Sequence, residues 1–471
     1  MKFDDVRSVH LIGAGGIGIS AIGKFLLAQG KRVSGSDAKA SLITDDLVRR
    51  GVTFFVGHEG ANVPSDCDLV VYTEAAPESN PERIAAQECG IRALGHFDFL
   101  GELSKSYRTI CVTGTNGKST TTAMVGRVFE EAGFDPTVFV GSLVPGWELG
   151  NLRMGKSDIL IIEGDEYKQK MVKLWPETTV ITNIEEDHLD VYRDLDHIIA
   201  TFQELVDKTS GAVWVNSDDE NSTKLTSDRI NHYAVSYAGA SLWTEDRLVE
   251  AGKQSFLVKR NVAGVDETLG RIELRVPGAF NMMNALAATS VAITYGVPFE
   301  KIQSALASFA GIWRRFERVG QFMVGGNERG VADVISDYAH HPTAIRGTLA
   351  AAKEFFPGRR IVLLFEPHQH SRTKELFDEF VASFDDADVL VLSEIYGVVG
   401  RTDAADAVSS LDLLNAVEKR LPAGDPKVGP KFYTKNLNDA EAKLRELIEP
   451  NDVVIVMGAG DVDQVARKLV T

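Results

Sequence analysis

The stretch Ile110-Cys111-Val112-Thr113-Gly114-Thr115-Asn116-Gly117-Lys118-Ser119-Thr120-Thr121-Thr122 decides the reading of the chain. Ile110 and Val112 suit a buried strand. Gly114 and Gly117 permit a turn whose successive N–H groups point inward, and Lys118-Ser119 opens a helix whose positive dipole end favours a polyphosphate. A strand, a phosphate-binding loop and a helix follow one another here. The strict eight-residue pattern asks for glycine at Val112, so this variant keeps Gly117-Lys118-Ser119 and moves its first glycine to Gly114. The competing reading is an ordinary strand-to-helix turn.

Downstream, the apolar run Asp158–Ile162 ends in Glu163-Gly164-Asp165-Glu166. A carboxylate at the end of a buried strand, beside a phosphate loop, is the usual arrangement for holding Mg²⁺ against nucleotide phosphates. A strand leaving into acidic solvent is the alternative. Thr179–Ile184 reads as a strand leading into Glu185-Glu186-Asp187-His188-Leu189-Asp190, where His188 either faces the same site or is a plain surface histidine. Ala212–Asn216 is one more strand. The alternating segment 233–276 suggests a small antiparallel sheet without assigned chemistry. Helices are expected at Asn281–Tyr295 and Phe299–Phe309, followed by Arg314-Arg315, which are either solvated or reach phosphate.

Upstream, the strand Ser8–Ile12 runs into Gly13-Ala14-Gly15-Gly16-Ile17-Gly18 and a helix reaching about Gln29. With Asp37 after the next strand, Arg32–Ser36, this is the glycine fingerprint of a nucleotide-binding β-α-β unit. Taken alone it suggests an NAD-dependent dehydrogenase, although the same spacing serves other nucleotides and plain helix packing. Strands at Leu69–Thr73 and near Ile91–Ala93, with a helix at Pro81–Cys89, complete a domain ending near Leu103.

The last third repeats the α/β rhythm. Strands Ile361–Phe365, Val389–Ser393 and Val453–Met457 alternate with helices near Thr343–Phe355, Lys374–Ser383, Ser409–Arg420 and Ala440–Ile448. Polar clusters follow the strands, notably Glu366-Pro367-His368-Gln369-His370-Ser371-Arg372-Thr373, and ligands of open parallel sheets bind at that edge. Asp337-Tyr338-Ala339-His340-His341-Pro342 offers an acid and two histidines at a helix start, either a metal site or a cap.

At 471 residues the chain exceeds one core and should hold about three domains. A formal charge of −17 argues against a nucleic-acid-coating surface, so anionic ligands need local basic sites. The three cysteines are widely spaced, indicating neither a disulfide framework nor a zinc site and fitting a reducing compartment. The start carries Asp4 and Asp5 and a glycine-broken apolar stretch, a poor secretory signal, and no apolar run approaches membrane-span length. A cytoplasmic location is expected, with no nucleic-acid or membrane partner.

Together these motifs resemble the Mur ligase family, the ATP-dependent amide-forming enzymes of peptidoglycan precursor synthesis, along nearly the whole chain. The resemblance implies three α/β domains: a UDP-substrate-binding Rossmann-like domain over 1–103, a central phosphate-loop ATPase-like domain with a mixed sheet over 104–318, and a Rossmann-like amino-acid-binding domain over 319–471. It implies that Gly114, Thr115, Asn116, Gly117, Lys118, Ser119, Thr120, Asn284 and Arg315 hold ATP, and that Ser119, Thr120, Glu163 and His188 hold Mg²⁺. Catalytic roles fall to Lys118, Glu163, His188, Arg315, Asp337 and His341. Gly15, Gly16, Ile17, Gly18, Asp37 and Thr73 would hold the UDP part of the substrate, and His340, His368 and Arg372 the amino-acid end.

The glycine fingerprint and Phe365-Glu366-Pro367-His368 with Ser371-Arg372-Thr373 are most similar to the branch that adds L-alanine to UDP-N-acetylmuramate, working as a monomer or homodimer. Gln203 stands where later ligases of the family carry a modified lysine. The chain departs from that branch at Asn116 and Phe280, where histidine is usual, and at Gln369-His370 in place of arginine-tyrosine. Glu163-Gly164-Asp165-Glu166-Tyr167 also resembles the branch that adds a tripeptide. UDP binding replaces the dehydrogenase reading within this family, and L-alanine, glycine, L-serine or a peptide remain as amines.

Overall fold

Three sheets carry the chain. The computed structural model describes residues 5–187, 191–236, 239–250, 252–326, 330–397, 408–420 and 429–471. The first sheet is parallel in the order Thr53–Val56, Arg32–Asp37, Ser8–Ile12, Leu69–Tyr72, Arg92–Gly95. Its order reverses between Ser8–Ile12 and Leu69–Tyr72, and at that switch point ligands bind outside the strand ends. Gly13 and Thr73 stand there, so close that a Cβ on Gly13 would lie 2.4 Å from Thr73 Cγ2.

In the central sheet, Arg108–Thr113 lies between Ile159–Glu163 and Thr178–Ile181, parallel to both. All of Ile110, Cys111 and Val112 are fully buried, each apolar side chain contributing about 1.5–3 kcal/mol of hydrophobic stabilisation. Such burial on both faces explains the near-continuous apolar run. The sheet continues through Val213–Asn216, Ile230–Ala234, Leu242–Glu250, Lys253–Val262 and Val265–Leu274. The expected separate sheet over 233–276 is therefore an extension of the central one, and Ile230–Ala234 pairs in parallel with Leu242–Glu250. Beyond it the chain does turn back antiparallel: Ala263 and Gly264, at φ 52° and 85°, make the two-residue hairpin turn before Val265–Leu274.

These two sheets share one core. Phe25 and Phe139 pack with ring centroids 5.6 Å apart. Buried Lys24 donates to Leu149 O at 2.9 Å and Asn151 Oδ1 at 3.0 Å, and pairs with Asp46 at 2.9 Å. The chain divides into two compact units, of which this is the first; the second comprises 247–255, 273–282 and 310–471.

In the second unit the order is Glu317–Val324, Gly330–Asp337, Val453–Met457, Ile361–Phe365, Val389–Ser393, Lys431–Thr434. Only the first pair is antiparallel, and its two strands lack an unbroken apolar run: Glu317–Val324 lies at the sheet edge, and Asp333 and Ser336 interrupt the interior strand Gly330–Asp337. The helix expected over Lys374–Ser383 is two short ones, His370–Glu375 and Phe377–Val381. They break at Leu376, and Phe380 packs 6.0 Å from Phe365 between ring centroids. The helices Leu42–Arg49, His96–Ser104 and Asp463–Val470 are additions to the sequence reading.

Candidate active site

The phosphate loop leaves its strand at Thr113 and enters the Lys118–Glu131 helix through Gly117, left-handed at φ 83°. Glycine is required there, since a Cβ would lie 2.4 Å from Asn284 Oδ1. Asn284 is 5% exposed, and its Oδ1 accepts a hydrogen bond from Thr121 Oγ1 at 3.2 Å. A helix distant in sequence thus brings Asn284 to the loop.

Thr178–Ile181 ends three residues earlier than its apolar run suggested, and the freed residues pin the loop. Thr115 N donates to Asn183 O at 2.9 Å, Asn116 N to Asn183 Oδ1 at 2.9 Å, and Glu185 N to Thr115 Oγ1 at 2.9 Å. Thr182 Oγ1 and Asn183 Nδ2 both donate to Asn116 O. His188, expected at the metal, lies outside the described residues together with Leu189 and Asp190.

Glu163 is the last residue of its strand and registers against Val112, directly before the loop. Ser119 Oγ donates to Glu163 Oε1 at 2.8 Å and Gly141 N to Oε2 at 2.6 Å. Glu163 and Ser119 present hard oxygen donors beside the phosphate loop, a set that fits Mg²⁺ completed by substrate phosphates and water. Among the described residues no cluster of three or more histidines, cysteines or acids forms a separate metal cage. Thr120, the other hydroxyl expected at the metal, is buried one residue further, about 100° round the helix.

Lys118 Nζ donates to Gly114 O at 2.7 Å and Thr115 O at 2.9 Å, and pairs with Glu166 at 2.8 Å. Burial works against its charge, but Glu166, Asp165 and Glu163 outweigh it and raise the lysine's pKa. Asp165 in turn pairs with Lys170 at 2.7 Å, and the two lysines lower its pKa against burial. Neither Lys170 nor the Glu166 pairing was singled out in the sequence; the acidic strand exit was the one signal for it.

At the glycine fingerprint, Asp37 Oδ2 accepts from Gly15 N at 2.8 Å, so the acid expected on the UDP part of the substrate clamps the turn. Gly16 caps the helix that starts at Ile17. Gly18 abuts His96, a residue the sequence reading passed over: a Cβ on Gly18 would be 2.2 Å from its Cε1. Burial holds the His96 imidazole neutral, its pKa pushed down to about 4, with Glu74 opposing and Lys170 reinforcing.

In the second unit the two arginines separate. Arg314 is buried and its guanidinium donates to Gly458 O and Gly460 O, locking that loop; nothing in the sequence distinguished it from its neighbour. Arg315 is exposed, with its guanidinium 5.0 Å from the Tyr338 ring centroid. Asp337 accepts from Phe316 N and Ala339 N, each at 2.7 Å, and burial raises its pKa against those bonds and both arginines. His341 accepts from Thr343 N at 3.4 Å as the cap of the Pro342–Phe355 helix. Both residues, expected to be catalytic, hold backbone in this structure.

His340 shares an Nδ1 hydrogen bond with Tyr338 O at 2.9 Å, and its ring centroid is 6.0 Å from that of His368, which stacks on Tyr396. Burial, then nearby Arg372, push the His340 pKa down to about 3. His340, His368 and Arg372 are thereby brought to one edge of the third sheet. Glu366, buried beside them, has its pKa pushed up to about 7 by burial, against the Val462 amide and Arg314.

Fold and site together define an ATP-dependent, amide-forming ligase. Three family models match in order: the Mur ligase family catalytic domain over 8–108, the Mur ligase middle domain over 112–292, and the Mur ligase glutamate ligase domain over 314–460. The chain belongs to the Mur ligase family. It is 40% identical to UDP-N-acetylmuramate–L-alanine ligase of Salinibacter ruber, covering 97% of this chain and 93% of that one. With the enzyme of the same name from Clostridium novyi it shares 37% identity over 98% and 97%. The solved UDP-N-acetylmuramate-alanine ligase of Thermotoga maritima superposes with a TM-score of 0.83 at 28% identity, covering 98% of each chain. A murein peptide ligase from Psychrobacter arcticus shares the fold, at a TM-score of 0.70 and 23% identity. Among the described residues no helix is long and apolar enough to cross a membrane.

Proposed function

We propose that the protein joins L-alanine to the carboxylate of UDP-N-acetylmuramate, with ATP converted to ADP and phosphate, in cytoplasmic peptidoglycan precursor synthesis. The observation that carries this reading is the set Lys118, Ser119 and Glu163 around one phosphate loop, in a chain similar along its length to alanine-adding ligases. The turn at Gly15, Gly16, Ile17 and Gly18, with Asp37 and Thr73, receives the UDP moiety. Lys118 and the loop amides hold the terminal phosphates, and Asn284 meets the adenine end.

Glu163 and Ser119, with His188, would hold Mg²⁺, which would supply charge neutralisation at the transferring phosphoryl group. The substrate carboxylate oxygen attacks the γ-phosphorus and ADP leaves, giving an acyl phosphate. The neutral amine attacks its carbonyl carbon, phosphate departs with the bonding pair, and the nitrogen loses a proton. Arg315 stabilises phosphate charge, while Arg372, with His340 and His368, receives the amino-acid carboxylate. Domain roles follow the boundaries 1–103, 104–318 and 319–471, and the enzyme works as a monomer or homodimer.

The test is ADP release with UDP-N-acetylmuramate and L-alanine, glycine, L-serine or L-Ala-γ-D-Glu-meso-diaminopimelate in turn. The highest kcat/KM for L-alanine is expected; a higher value for the tripeptide would replace this amine assignment.

A further inference from the structure

The loop 165–170 joins two places that the proposed chemistry must connect. At one end, Glu166 holds Lys118 of the phosphate loop. At the other, Lys170 lies 13% exposed, its Nζ 5.1 Å from the Tyr167 ring centroid and 5.9 Å from that of Phe97. Phe97 follows His96, whose imidazole covers Gly18 of the glycine turn. Asp165 feels the ammonium groups of both Lys118 and Lys170, and Lys170 Nζ is 2.7 Å from its Oδ2. Two consecutive carboxylates thus each hold one lysine, on the path from the UDP turn to the phosphate loop. Left-handed backbone at Lys168 and Gln169, φ 53° and 57°, bends the chain tightly enough for Lys170 to return to Asp165. Strain of this kind persists where surrounding structure imposes it and gathers at ligand clamps.

The geometry points to Lys170 as a positioning residue that takes the reacting carboxylate of the sugar substrate, Asp165 standing in for that carboxylate in the free protein. This rests on the reading of UDP-N-acetylmuramate as substrate. A second ammonium group, held by the carboxylate next in sequence to the one that holds Lys118, suits an encounter of two anions, carboxylate and triphosphate, whose mutual repulsion must be offset before they react. Asp165, 34% exposed against 5% for Glu166, is the carboxylate better able to exchange its partner.

The experiment compares wild type, Lys170→Met and Lys170→Arg. Calorimetric affinity is measured for UDP-N-acetylmuramate and for UDP-N-acetylglucosamine, the same nucleotide sugar without the carboxylate, with steady-state constants for ATP alongside. Lys170→Met is expected to weaken UDP-N-acetylmuramate about tenfold or more, the scale of one charge-assisted hydrogen bond. UDP-N-acetylglucosamine affinity and the KM for ATP stay within about twofold on the same reasoning, and Lys170→Arg restores most of the loss. Unchanged UDP-N-acetylmuramate affinity overturns the assignment, as does equal weakening of both sugars. Wild-type protein that neither binds UDP-N-acetylmuramate nor releases ADP with it overturns the substrate reading, and this inference with it.

Discussion

Replacing Gly114 with alanine tests whether the pinned loop is what makes the site. Gly114 has φ 133°, and an added Cβ would lie 2.0 Å from Thr182 Oγ1, 2.9 Å from Asn183 O and 3.0 Å from Asn183 N. Thr182 cannot simply rotate away without losing its bonds to Thr113 O and Asn116 O, and backbone closes the other side. The loop must lift, breaking bonds such as Thr115 N to Asn183 O and Asn116 N to Asn183 Oδ1, each worth about 1 kcal/mol. With about 1–2 kcal/mol for unfavourable backbone, the loss is about 3–5 kcal/mol.

Gly133→Ala is the control, because Gly133 has φ 80° with nothing within 4 Å of its Cβ position, so only the backbone cost of about 1–2 kcal/mol applies. At about 2–4 °C per kcal/mol, thermal melting separates the two variants by several degrees. Coupled ADP-release kinetics should show a raised KM for ATP and a kcat lowered about 10²-fold in Gly114→Ala alone. Equal melting temperatures and wild-type ATP kinetics in Gly114→Ala would refute the reasoning.

Lys118→Ala should lower ADP formation about 10²–10³-fold, the scale of a lost charged donor. It also removes the Lys118 ion partner of buried Glu166, so melting temperature falls, and adding Glu166→Gln should restore stability without activity; recovery of turnover in the double variant would contradict the role of Lys118. Ser119→Ala and Glu163→Gln should each raise the Mg²⁺ concentration for half-maximal activity, measured by titration at fixed ATP, and an unchanged midpoint in both would remove them from the metal. Glu366 carries a folded pKa of about 7 against 4.5, so the native state binds the extra proton between those values and stability falls as pH rises through that window. Glu366→Gln should therefore melt higher than wild type at pH about 8, by an order of about 2–3 kcal/mol, and equally near pH 4, as followed by scanning calorimetry.

Much of the first-order site was readable along the chain because it is local. Gly114, Gly117, Lys118 and Ser119 lie within one turn, and Gly13 to Gly18 within another, so short-range steric demands write them into a few consecutive residues. Glu163 was readable as the acid at a strand end, and its place beside Ser119 followed once Ile159–Glu163 paired with Arg108–Thr113. Asn183, Glu166 and Gly141 acquire their partners only through such pairing. The length of Thr178–Ile181 differs for the same reason: Thr182 N still donates to Thr113 O of the neighbouring strand, but Asn183 and Ile184 spend their bonds on the loop and on Asp219.

What the chain by itself determined is the alternation of buried strands and helices, the glycine turns and the lysine that marks one of them, because periodicity and backbone sterics act over a few residues. Tertiary structure alone decided that Arg314 locks a loop while Arg315 stays exposed, and that Asp337 and His341 hold backbone. It also decided that Asn284 meets Gly117, that His96 covers Gly18, and that Lys170 pairs with Asp165. These are questions of which distant group fills a hydrogen bond or shields a charge. Their answer depends on sheet order and burial, which set the cost of an unpaired polar group and are not local properties of the sequence.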